Sequence, residues 1–273
     1  MSSSEERNDR GAEQSTQMKP HWWTGPAESF ALLSIARVPA TASARGVLPW
    51  APLVGLALGM PAAAAGWLGA RYAGPLVGAV LALAVLAALT RGLHLDGLAD
   101  TADGLGPLRG RERALQVMRA GDVGPFGVVT LVLTLLLQAA CLADLLAVDS
   151  GWLALPVAVV AARLAMARTG LRGVAIAEGS SLGQAVAGTV SARWLAAAGV
   201  ISAAACLGAA ELTGLGPAGG VRLLIGAVLG WLAAEALHRR ARSRLGGVNG
   251  DVMGAMGEVT TAVTLLATAV LLG

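Results

Sequence analysis

Ten residues, His94 to Asp103, bring together one imidazole and three carboxylates: His94, Asp96, Asp100 and Asp103. They sit in the run Arg91-Gly-Leu-His-Leu-Asp-Gly-Leu-Ala-Asp-Thr-Ala-Asp-Gly104, directly after a long apolar stretch. On a helix, at about 100° per residue, Asp100 falls roughly 40° and Asp103 roughly −20° from Asp96, so the three acids share one narrow face. Unpaired carboxylates held together beside a bilayer repel one another and are costly to desolvate. A cation is therefore expected among them, and oxygen-only ligands favour a hard one, Mg²⁺ or Mn²⁺, over zinc. The bland alternative is a solvated juxtamembrane helix, but acids at i, i+4 and i+7 with Gly and Ala between them favour function. His94 falls on the far side of such a helix. It is then either a residue just before the helix or one outside the metal's ligand set.

A second acidic pair, Asp251 and Glu258, lies seven residues apart near the C-terminus and shares a helical face. Gly254 and Gly257 between them leave room for another helix or a ligand to approach. Two acidic faces of this kind could hold one or two divalent ions, an arrangement that phosphoryl transfer uses. Arg109, Arg111, Arg113 and Arg119 can fork onto phosphate oxygens, although topology or lipid headgroups account for most of them. Arg119 is the best functional candidate, because it precedes the turn Gly121-Asp122-Val123-Gly124. Asp122 reads equally as a ligand or as a helix N-cap. The small polar segment Glu178-Gly-Ser-Ser-Leu-Gly183 suits approach by a ligand or an ordinary loop.

The elements that must position these residues are membrane helices. The chain has 273 residues, 55% of them hydrophobic, and 37 glycines. Its mean hydropathy is +0.66. The apolar residues form long Leu, Ala and Val runs without period-2 alternation, which indicates an all-α polytopic bundle and argues against a barrel. Spans are expected at 47–70, 73–90, 124–147, 151–169, 194–213, 219–238 and 253–272, seven in all, with Pro49, Pro52 and Pro61 kinking or dividing the first. A short interfacial helix is expected at 111–120, and an amphipathic stretch from Trp22 to Pro39. Residues 1–20 read as a disordered polar leader, with 21–273 forming one membrane domain.

Charge sets the orientation. The connections 91–122, 163–193 and 238–251 are rich in Arg, whereas those near 148–151 and 211–220 carry no Lys or Arg. The positive-inside rule then places the N-terminus and the acidic motif on the cytoplasmic side of the membrane. The single lysine, Lys19, lies in the leader, which excludes a Walker A lysine and argues strongly against Schiff-base chemistry. No nucleic-acid module is evident, and Cys141 and Cys206 read as small buried residues.

The segment His94-Leu-Asp-Gly-Leu-Ala-Asp-Thr-Ala-Asp-Gly104 resembles the signature of the cobalamin synthase family, the adenosylcobinamide-GDP ribazoletransferases. The likeness extends to Arg113–Gly127, to Gly246–Glu258 and to the order of spans. One departure is that Ala120, not an acid, follows Met118-Arg119. The resemblance implies an Mg²⁺-dependent membrane enzyme joining adenosylcobinamide-GDP to α-ribazole, or to its 5′-phosphate, with release of GMP. Within it, Asp96, Asp100 and Asp103 would ligate the metal, and Asp251 and Glu258 would complete the site or polarise the nucleophile. Arg111, Arg113 and Arg119 would hold the pyrophosphate, and His94 would act as a base or orient a carboxylate. Membrane lipid is an expected partner, and the Gly- and Ala-rich helices could pack against a second copy. The rival readings are a CDP-alcohol-type phosphotransferase making a lipid, whose Asp-Gly-x-x-Ala-Arg spacing is absent here, and a divalent-cation transporter.

Overall fold

The computed structural model describes residues 23–39 and 43–273; the leader 1–20, His21 and Trp22 lie outside the described residues. Helix α1 (Thr24–Leu33) packs on the start of α2 (Val47–Ala73), where Ser29 Oγ donates to the Val47 carbonyl at 2.8 Å. Gly46 N donates to Glu28 Oε2 at 2.7 Å at the same junction. Pro52 and Pro61 lie inside α2, which nevertheless runs unbroken for 27 residues instead of dividing.

The next segment departs from the expected straight span at 73–90. Helix α3 (Pro75–Leu89) has only 15 residues, about 22 Å of rise, and α4 (Leu93–Leu105) leaves it at 90°. The break is built from two left-handed residues, Arg91 (φ 57°) and Gly92 (φ 67°), while Thr90 Oγ1 caps the spent carbonyl of Leu86 at 2.9 Å. The acidic motif therefore lies on a cross-helix of its own.

Beyond it come α5 (Arg111–Met118), α6 (Pro125–Leu146), α7 (Ala154–Ala167) and the short α8 (Ser181–Val186). The chain ends in three long helices, α9 (Ala192–Leu212), α10 (Gly216–Leu245) and α11 (Gly250–Leu272). Single 3₁₀ turns flank α7 on both sides and lengthen its span to Gly151–Gly170. The protein is thus an all-α, multi-pass membrane protein. Six described helices are long and apolar enough to cross a bilayer, and the bent α3–α4 pair makes a seventh if taken as one broken span.

Two apolar cores stack along the bundle. One, around Leu48, Met166, Val186, Leu245, Val248 and Met256, lies beneath the Arg-rich end. The other, around Ala62, Ala79, Leu142, Leu155, Leu223 and Leu265, fills the opposite end. Many large apolar side chains on α2, α6 and α10 face outward, such as Leu53, Leu133 and Val228, as helices surrounded by lipid require.

Candidate active site

Helices α4 and α11 cross with their backbones in contact. A Cβ on Gly97 would meet the Asp251 carbonyl oxygen at 2.7 Å and its Cα at 3.0 Å. A Cβ on Gly254 would lie 3.2 Å from the Cα of His94. This close approach sets the acids flanking Gly97 beside Asp251. Asn249 fixes the start of α11: its Oδ1 accepts from Val252 N at 2.9 Å, and its Nδ2 donates to Asp251 Oδ2 at 2.8 Å.

Asp96 is exposed, whereas Asp100 is buried. Neither forms an ion pair with Lys or Arg among the described residues. Helix α4 is not among the six spanning helices, and there burial pushes the Asp100 carboxyl up to about 7. The neighbouring charges of Asp251, Asp96 and Asp103 add to that shift. Asp251, from the other helix, is thus foremost among the like charges acting on Asp100.

Asp103 faces elsewhere on the same helix. Its Oδ2 accepts from Gly124 N at 2.7 Å and its Oδ1 from Gly127 N at 3.0 Å, so it closes the N-terminus of α6 from a different helix. Of the two roles open to Asp122, ligand or N-cap, the cap is thus taken by Asp103: Asp122 is exposed, and Gly124 is the N-cap residue of α6. His94 lies inside α4, not before it. It is 2% exposed, and its Nε2 has no partner among the described residues.

Glu258 sits deeper in the bundle than the cluster. Its Oε2 accepts from Gln138 Nε2 at 3.1 Å, and its charged neighbour is Arg163. The sequence reading counts Arg163 as a connection-side cation. It lies instead within α7, 4% exposed, with Nη1 3.4 Å from Met166 Sδ. His94, Gln138, Arg163 and Glu258 thus form a buried polar layer under the acids, one residue from each of α4, α6, α7 and α11.

Of the arginines, Arg119 reaches the site: its Nη2 donates to the Glu178 carbonyl and ties the end of α5 to the loop before α8. Arg111 lies over Gly246, and Arg113 bonds Gln116 on its own helix at 3.3 Å. Arg244 closes the same end by donating to the carbonyls of Pro107 and Arg109 at 3.3 and 3.1 Å. A cavity of about 300 Å³ opens here, walled by α1, α2, α4, α8 and α11. Its polar lining includes His94, Arg119, Ser180, Asn249 and Asp251. Among the described residues no three acids, imidazoles or thiols group tightly enough to enclose a metal by themselves.

A family model for cobalamin-5-phosphate synthase matches residues 27–269, nearly the whole described chain. The chain belongs to this family. No solved structure matches the chain. Curated relatives named adenosylcobinamide-GDP ribazoletransferase include one from Frankia casuarinae, 39% identical over 227 residues, covering 79% of this chain and 82% of the relative. Another, from Nocardioides sp., is 40% identical over 226 residues, covering 82% and 87%. A third, from Bradyrhizobium diazoefficiens, is 38% identical over 238 residues, covering 85% and 86%. The chain is accordingly a transferase of cobalamin biosynthesis.

Sequence reasoning missed Arg163, Gln138 and Asn249 as parts of this cobalamin synthase site. A signal existed for the first, an arginine inside the apolar run 154–167, and for the last, an Asn placed to cap the acid-bearing helix.

Proposed function

We propose that the protein joins adenosylcobinamide-GDP to α-ribazole, or to its 5′-phosphate, and releases GMP, with Asp96 and Asp100 holding Mg²⁺ and Asp251 polarising the nucleophile. The observation that carries this reading is the meeting, at one end of the bundle, of an Arg119-lined cavity and acids that have no Lys or Arg partner among the described residues. The donor set fits Mg²⁺: it is all oxygen, mutually repelling and uncompensated by protein cations. An incomplete cage is no obstacle, because Mg²⁺ keeps several waters and takes one or two carboxylates together with substrate phosphates. When bound, the ion supplies charge neutralisation to the diphosphate.

The chain's own residues do the rest. In the reaction a ribose hydroxyl oxygen bonds to the phosphorus on the cobinamide side, the bridging P–O bond breaks, and GMP departs with that oxygen. Asp251 lines the cavity, so it is the carboxylate placed to take the hydroxyl proton. Arg119 has donors beyond the one given to Glu178 and offers them to phosphate oxygens. Asp103 holds the N-terminus of α6 against α4, and Glu258 holds the layer beneath through Gln138 and Arg163. Arg111 and Arg113 lie on the outer rim, where contact with phosphate or lipid headgroups is their role. The positive-inside argument makes this end cytoplasmic in a bacterial inner membrane.

The test is GMP release by the purified protein in lipid. Release should require adenosylcobinamide-GDP and α-ribazole together. Release with either substrate omitted would contradict the reading.

A further inference from the structure

Resting on that reading, we infer that the cavity is the seat of the nucleoside acceptor alone and that the corrinoid stays outside it, docked at the exposed acid-and-arginine rim. Size is the first argument. A cavity of about 300 Å³ suits a single nucleoside, whereas a corrin macrocycle with its side chains is several times larger. The lining is the second. Much of the wall is apolar, with Leu33 from α1, Leu48 from α2, Leu182 and Val186 from α8, and Met253 from α11. Leu48, Val186 and Met253 are almost fully buried, so the packed core fixes this part of the wall.

Such a wall matches a flat, apolar bicyclic base, which gains from burial and offers few hydrogen bonds. It suits a guanine poorly, because that base's polar edge would be desolvated without partners. Fewer lining residues are polar: Ser180, Asn249 and Asp251 among them, beside buried His94, whose Nε2 has no partner among the described residues. A ribose seated beside these groups points a hydroxyl towards Asp251. Asp96, exposed, and Arg119, at the cavity lip, then meet the second substrate's diphosphate from outside. The loop Glu178–Ser180, held by Arg119, forms the lip that separates the two substrates.

Leu182 decides the test, being half-buried on the short α8 and packed towards Gly250. Leu182→Trp should fill the cavity, raising KM for α-ribazole by about tenfold or more and leaving KM for adenosylcobinamide-GDP within about twofold. Leu182→Ala should widen it, so that nucleosides with a larger tricyclic base become substrates. Calorimetric titration with α-ribazole alone reads the cavity independently of turnover: wild type should bind and Leu182→Trp should not. If Leu182→Trp does not fold, the base selectivity of Leu182→Ala decides. A rise in KM for the corrinoid substrate, unchanged α-ribazole binding in Leu182→Trp, or unchanged selectivity in Leu182→Ala would overturn the inference. Nucleoside binding without any GMP release would uphold the cavity assignment and sink the transferase reading instead.

Discussion

At the scale of single residues, the acids of α4 divide by environment, not by type. Among the described residues Asp96 and Asp100 have no Lys or Arg partner, while Asp103 is satisfied by two backbone N–H groups. Asp103→Ala should therefore act on stability. Losing two charge-assisted bonds at a buried helix end costs about 2–4 kcal/mol, readable as a lower unfolding midpoint in detergent. Asp103→Asn should fall between this variant and wild type. For Asp100 the consequence is a pH dependence. With its carboxyl raised to about 7, protons compete with Mg²⁺ below that pH. The apparent Mg²⁺ affinity should fall about tenfold per pH unit below 7 and level off above it, and titration calorimetry in two buffers would show the released proton. The sequence pattern alone reveals the cluster, since period and residue type suffice for a shared face. The division of labour was hidden, because Asp103 is claimed by Gly124 and Gly127 more than twenty positions away, a contact that no local spacing encodes.

At the scale of elements, the account turns on the crossing of α4 and α11. The bare backbone of Gly97 lies against Asp251, so a side chain there must push the two acidic helices apart. Gly97→Val should reduce turnover on the order of a hundredfold through misplacement of the carboxylates, with α6 and α7 still protected from hydrogen exchange. Unchanged turnover would show that the two helices need not touch. The spans were legible in the sequence because each apolar run is as long as a bilayer demands. The 90° break was not, because the text at Thr90-Arg91-Gly92 also reads as an ordinary helix end. The same reason misplaced Arg163. Near a run's edge an arginine reads as a topology signal, and its charged neighbour, Glu258, comes from a helix far away in sequence.

At the scale of the whole molecule, three Arg-rich connections separated in sequence meet at one end. Arg244 holds the carbonyls of Pro107 and Arg109, and Arg119 holds Glu178. The acids and the cavity share that end, so under the proposed function one compartment would supply both substrates. The native cysteines, Cys141 and Cys206, are buried and give a quiet background for labelling. In intact cells an impermeant maleimide should modify Asp149→Cys, at the opposite end, and should reach Ser243→Cys only after permeabilisation. The reverse pattern would invert the topology.

The central claim is that the unpaired acids of α4 and α11 form a magnesium-dependent transfer site. The most direct measurement is GMP release against graded Mg²⁺, with both substrates present, for wild type and Asp100→Asn inserted equally in membranes. Wild type should show a saturable requirement for Mg²⁺, and Asp100→Asn should lose activity by a factor on the order of 10³ at every Mg²⁺ level. Wild-type turnover by Asp100→Asn, or release that is indifferent to Mg²⁺, would contradict it.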